Sequence, residues 1–159
     1  MKSLSGYTSI TDVYNFIGDD VSSALLPFHA ITGCDVTGKF SGKSIDFWTA
    51  KFLEERSNEE LIDALLKLQN CEVDSVQPQI TKFICRSYCP KKTPRKITDS
   101  LVETRYFLYK KFRSETNKLP PSPGALTQHL KRACCPLVIW SSSKRILQTQ
   151  LTLFSMGGK

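Results

Sequence analysis

Apolar positions recur at intervals of three and four along most of the chain, a spacing that predicts helices. After a polar lead-in over residues 1–18, Asp19 and Asp20 precede a segment in which Val21, Leu25, Phe28 and Thr32 fall on one face, with Ala24 and Ile31 beside them. Pro27 lies inside that segment. The helix therefore kinks at Pro27 or begins near it, because an interior proline removes a backbone donor and crowds the preceding turn. A loop, ITGCDVTGKFSGKS, follows; its Gly33, Gly38 and Gly42 suit positive φ or close backbone approach. Ile45, Trp48 and Phe52 then repeat at helical spacing, so residues 20–54 read as a helix, a glycine-rich turn and a second helix.

Ser57 followed by Glu60 forms a capping-box signature ahead of the stripe Leu61, Ile62, Leu65, Leu66 and Leu68. Pro78 suits a first turn, with Ile80, Phe83, Ile84 and Tyr88 carrying the next helix to a stop at Pro90. After the basic linker KKTPRK, Thr98 and Asp99 can cap a helix holding Leu101, Val102, Leu108, Tyr109 and Phe112, closed by the rigid Leu119-Pro120-Pro121 turn. Ser122 and Pro123 restart a helix on which Leu126, Leu130, Ala133 and Cys134 share a face until Pro136. LVIW (137–140) then reads as a short strand or an extended arm, and residues 141–159 as a poorly ordered tail. The sum is an all-α protein of about six helices, with one helical domain over 19–140.

Composition sharpens this picture. A chain of 159 residues that is 40% hydrophobic can bury a core, and it is too apolar for a disordered tail. No run approaches the about 20 apolar residues of a membrane span, and the N-terminal segment lacks the apolar stretch of a signal peptide. Six cysteines are too few for a disulfide scaffold, so free thiols in an intracellular, reducing compartment, the nucleus included, are expected. The formal charge of +7 is unevenly placed: residues 1–70 hold six Lys/Arg against ten Asp/Glu, and residues 71–159 hold sixteen against five. A half at +11 suits a polyanion such as DNA.

The densest group of unusual residues is LLPFHAITGCDVTGKFSGKSIDFWTAKFL. It resembles the region of flap-endonuclease-type, structure-specific 5′-nucleases in which a helix ends in Gly-Cys-Asp before a glycine turn and a second helix. It resembles more closely a group of transposon-associated animal proteins carrying HAITGCD-like segments after a PIN-like nuclease region. The stretches KFICRSY, ETRYFLYKKF and LPPSPGALTQHLKRA extend that resemblance over roughly residues 20–140. The resemblance implies that Asp35 marks a divalent-metal edge and that the helix–turn–helix behind it grips the DNA backbone. It also implies a missing nuclease half: a two-metal site needs several converging acids, and the preceding chain offers only Asp12, Asp19 and Asp20. Mg²⁺ would bind only if other ligands were supplied, and the chain alone is expected to bind DNA without cleaving it. Asp35 reads equally as a loop residue capping its turn.

The turn Gly38–Ser44 offers backbone N–H groups, Lys39, Ser41, Gly42 and Lys43 beside a helix start, a combination suited to phosphate. Ser44 stands where the nucleases usually carry a second glycine, and Thr37 excludes a P-loop, which would need glycine there. The rest of the expected DNA-backbone set is Lys91, Lys92, Arg95, Lys96, Lys110, Lys111, Lys131 and Arg132, interleaved with Tyr88, Tyr106 and Tyr109. Cys85 and Cys89 share a helix face, and with His129 and Cys134 they make a zinc site imaginable, though their spacing matches no standard zinc module. His29 reads as a structural residue. A protein-docking domain is the other reading; no membrane and no small-molecule substrate is expected.

Overall fold

The computed structural model describes residues 9–113 and 115–156. Among them are eight α-helices and one 3₁₀ turn, with no strand: α1 Ile10–Ile17, α2 Asp19–Thr32, α3 Ile45–Glu54, α4 Glu59–Leu68, α5 Val73–Tyr88, α6 Arg95–Thr98, α7 Leu101–Phe112, the 3₁₀ turn Thr116–Lys118, and α8 Pro123–Met156. The all-α expectation holds. The two additional helices are α1, inside the supposed lead-in, and the short α6. Ser9 starts α1 by accepting the Asp12 N–H at 3.4 Å, and Gly18, at φ +82°, ends α1 and begins α2.

Helices α2, α4, α5 and α8 pack on one another, and α3 seals them with aromatic side chains. Phe28 of α2 stacks on Phe52 of α3 with centroids 4.5 Å apart, and Trp48 lies 5.9 Å from the Phe83 ring of α5. Trp48 and Phe52 are fully buried; replacing either by alanine would cost about 3–5 kcal/mol. Ile45 and Leu25, expected to face inward, are exposed, because Ala24, Phe28, Ala30 and Ile31 on α2 and Trp48 and Phe52 on α3 fill the interior instead. On α7 the inward face is Leu101, Thr104 and Leu108, and Val102 and Tyr109 point to solvent.

Proline placement departs most from expectation. Pro27 is interior to α2, so the Ser23 carbonyl four residues earlier has no helical N–H to accept; Gln69, just after α4, donates its Nε2 to that carbonyl at 2.9 Å. Pro78 is the sixth residue of α5 rather than a first-turn residue, since Val73 and Val76 bury against the core and extend the helix backwards. Pro136 does not stop α8, and 137–140 is helical rather than a strand or an arm. Ala133, Cys134, Pro136 and Leu137 present a continuous buried face, and burying it outweighs one lost backbone bond. Residues 141–156, expected to be a poorly ordered tail, continue α8; residues 157–159 lie outside the described set, as do 1–8 of the lead-in and the Phe112 side chain.

The caps also shift by one or two residues. Asn58, rather than Ser57, caps α4: its Oδ1 accepts the Leu61 N–H at 3.3 Å while its Nδ2 donates to Glu55 at 2.8 Å. Ser100, rather than Thr98 or Asp99, caps α7 through the Glu103 N–H at 3.4 Å. Among the described residues no helix is long and apolar enough to cross a membrane.

Candidate nucleic-acid interface

The glycine-rich turn begins where α2 ends. A helix leaves its last four carbonyls without intrahelical donors. Here the Gly33 N–H donates to His29 O at 3.2 Å and the Thr37 hydroxyl to Ala30 O at 2.8 Å, while the Thr32 hydroxyl adds a bond to Phe28 O at 2.9 Å one position earlier. Ile31 O lies 2.7 Å from His129 Nε2, reaching across from α8. Thr37 Oγ1 also accepts the Cys34 N–H at 3.1 Å. Its one hydrogen is committed to Ala30, so the Cys34 thiol, 3.1 Å away, is the donor to it. Gly33 sits at φ +120°, and a Cβ there would stand 2.5 Å from Lys39 Cγ, so the chain folds Lys39 directly over the glycine. The HAITGCD segment is thus a helix terminus closed by Thr32 and Gly33 within it and by Thr37 just beyond it.

Downstream, the Lys43 N–H closes a tight turn by donating to Phe40 O at 3.3 Å, with Gly42 at φ +70° in the position that requires a left-handed residue. Phe40 is buried against Trp48 and His129, with centroids at 5.1 and 4.8 Å. The Tyr88 hydroxyl donates to Ser41 O at 3.3 Å, which holds the turn on the end of α5. Lys43 is half-buried with Nζ 4.1 Å from the Phe47 centroid and 4.8 Å from that of Tyr88. Burial, and then the charge of Lys51, lower its pKa. Ser44 caps α3 by accepting the Phe47 N–H at 3.2 Å. Of the expected turn contacts, Lys39 and Ser41 are exposed and Lys43 leans on aromatic rings.

Beyond Lys43 lies a cleft of about 530 Å³ between α3, the end of α5, the linker and α6. Lys51, Arg86, Lys91 and Arg95 converge on it, with Glu54 and Glu55 among them. The carboxylates tether the cations: Glu54 lies 2.8 Å from Lys51 and 3.5 Å from Lys91, and Arg86 lies 3.8 Å from Glu55 and 3.9 Å from Asp99. Lys51, by its hydrogen bond and charge, holds the Glu54 carboxyl below its usual range. Pairs this solvated are weak, so a phosphate can displace a carboxylate at small cost. Four cations against two anions leave the cleft lining attractive to an anion, and Lys43 adjoins Lys51 at its edge.

Lys91 and Arg95 of the expected set are therefore brought together, whereas Lys92 and Lys96 are exposed outside the lining. Lys110 and Lys111 end α7, with their Nζ atoms 5.5 and 5.2 Å from the rings of Tyr106 and Phe107. Lys131 and Arg132 are exposed on α8, which contributes nothing to the cleft. Lys51 is the residue that sequence reading missed. Three residues before Glu54, it reads as one half of a solvated helical pair, and only the packing of α3 beside α5 turns it toward Arg86 and Lys91.

Asp35 is exposed on the turn. Among the described residues no three His, Cys, Asp or Glu stand close enough to hold a metal ion, so the residues around Asp35 do not fit a divalent-metal site. The imagined zinc ligands form no such cluster either: His129 meets Ile31 O, and the Cys134 carbonyl meets Cys71 Sγ. His29 stacks on Trp140 at 6.2 Å. Comparison with protein-family models, curated proteins and solved structures finds no match to this chain.

Proposed function

We propose that this protein is a DNA-backbone-binding helical region of the PIN-like, flap-endonuclease type, without nuclease activity of its own. One observation carries the reading: Lys51, Arg86, Lys91 and Arg95, drawn from segments up to 44 positions apart, surround a single open cleft beside the glycine-rich turn. The +11 charge of residues 71–159 supplies the long-range attraction, and the resemblance of the HAITGCD segment points to the backbone of DNA as the polyanion. Phosphates would enter the cleft and exchange with Glu54 and Glu55, while Lys39 reaches the strand from the turn. The other exposed cations, Lys92, Lys96, Lys110, Lys111, Lys131 and Arg132, would add attraction without a fixed geometry.

Fluorescence anisotropy against duplex, flap and single-stranded DNA over a salt series tests this. Each phosphate contact contributes close to one unit of log–log salt slope, so replacing Lys91 and Arg95 together by alanine should lower the slope by about 2. No binding at about 50 mM salt, or a slope untouched by the double variant, would overturn the reading.

A protein-docking role is the second reading, favoured by Val102, Tyr106 and Tyr109, each 59% exposed on the outer face of α7. Self-association abolished by Tyr106→Ser with Tyr109→Ser, in a chain that ignores DNA, would select it.

A further inference from the structure

Two thiols that play no part in the cleft meet across the core. Cys71 lies in the turn joining α4 to α5 in a left-handed conformation, φ +62°. That turn is held by the Cys71 N–H on Leu68 O and the Val73 N–H on Cys71 O, both at 2.9 Å. The Cys71 Sγ points at α8, 3.9 Å from the Cys134 carbonyl oxygen, and Cys71 packs on the core cluster that holds Cys134. Both are free; Cys71 is partly exposed and Cys134 is buried. The neighbouring Cys135 points outward, toward Lys131 O at 4.0 Å on its own helix, as a residue about 100° further round α8 must. Cys34 instead meets the hydroxyl of Thr37.

We propose that Cys71 and Cys134 are a redox-modification site, oxidised by hydrogen peroxide or an organic hydroperoxide to a disulfide that ties the α4–α5 turn to α8. The partly exposed thiol reacts first. The Cys71 thiolate attacks one peroxide oxygen, the O–O bond breaks, and the Cys71 sulfenic acid and one water (or alcohol) result. The Cys134 sulfur then attacks the sulfenic sulfur, the S–O bond breaks, and a second water leaves with the Cys134 proton. Two thiols have lost two electrons and two protons, all accounted for in the reduced peroxide and water. Cys134 is buried and Cys71 is partly exposed, so peroxide reaches Cys71 and leaves Cys134 to resolve the sulfenic acid from within. Cys71 belongs to a turn and not to a helix, so its backbone can yield as the sulfurs close to the about 2.05 Å of a disulfide.

The bond would close a loop of 63 positions and restrict the unfolded chain, raising the melting temperature by about 5–10 °C. The test treats the full-length, reduced chain with a few equivalents of hydrogen peroxide, then alkylates and maps peptides by mass. The expected product is a linked Cys71–Cys134 peptide pair, lighter by two hydrogens and released by dithiothreitol, with the higher melting temperature of the oxidised chain. Cys135→Ser should leave the link intact and Cys71→Ser should abolish it. Alkylation of both Cys71 and Cys134 after peroxide, a link made by Cys135, or a link between two copies of the chain would overturn the proposal. The wild-type alkylation pattern decides this even if a variant fails to fold.

Discussion

Gly33→Ala tests whether the HAITGCD terminus is a structural frame, because two independent penalties fall on that one methyl group. The first is conformational: φ +120° and ψ 118° lie where L-residues rarely go, at a cost of about 1–3 kcal/mol. The second is steric: the new Cβ would stand 2.5 Å from Lys39 Cγ and 3.1 Å from Lys39 Cα. The side chain can swing away, whereas the backbone atom must move, and overpacking of this kind costs about 1–3 kcal/mol. Reduced freedom of the unfolded chain returns about 0.4–1 kcal/mol. The net loss is about 1–5 kcal/mol, or a fall in melting temperature of about 2–20 °C for a chain of this size. Urea unfolding followed by far-UV circular dichroism gives the free energy directly, provided the slope with denaturant stays constant. Lys39→Ala in the Gly33→Ala background removes the Cγ contact and leaves both φ and the Cα approach, so it should recover only about 1 kcal/mol. A Gly33→Ala variant within about 0.5 kcal/mol of the parent would refute the reasoning, as would complete rescue by Lys39→Ala.

Two further outcomes are expected. His129→Ala strands the buried Ile31 carbonyl at the end of α2 and should cost about 1–3 kcal/mol in the same urea assay; an unchanged midpoint would mean that water takes the place of the imidazole. The alkaline limb of stability should be steep, because burial pushes Cys85 to about 11 from its usual 9, and Cys134 and Tyr88 to about 12. Folded pKa values above the unfolded ones mean stability that is whole below pH 9 and is lost as pH rises from 9 toward 12, with the Tyr88 share falling between 10 and 12. Lys43, whose pKa burial lowers, works in the opposite sense. Thermal melts between pH 8 and 11.5 should show this loss, and Tyr88→Phe should make the upper part shallower; identical curves for the two proteins would contradict it.

Much of the helical pattern was legible in order along the chain. The stripe Leu61, Ile62, Leu65 and Leu68 buries as its spacing predicts, and so does Leu126, Leu130 and Ala133. Local signals failed where a distant residue supplied what the local rule said was missing. Pro27 looks like a break until Gln69 donates to Ser23 O, and Pro136 looks like a stop until the apolar face around it finds α2 and α5. Cap positions slipped by a residue or two because Ser57 and Asn58, or Asp99 and Ser100, are chemically near-equivalent and only the backbone path selects between them.

The cleft divides in the same way. Lys91 and Arg95 stand out as a basic linker in the one-dimensional record, and the charge asymmetry that makes an anion-binding role reasonable is a property of composition alone. Lys51 and Arg86 belong to the cleft only because α3 crosses beside α5, and Lys43, equivalent to Lys39 on paper, is drawn by Phe47 and Tyr88 into a half-buried seat. The all-α class, the stripes of α4 and of the first half of α8, and the net charge of each half were settled by the sequence, since they depend on near-neighbour spacing and on sums over residues. Which prolines are tolerated, which lysines meet, and that Cys71 reaches Cys134 were decided by tertiary structure, since those depend on partners 40 to 63 positions away that no local pattern specifies.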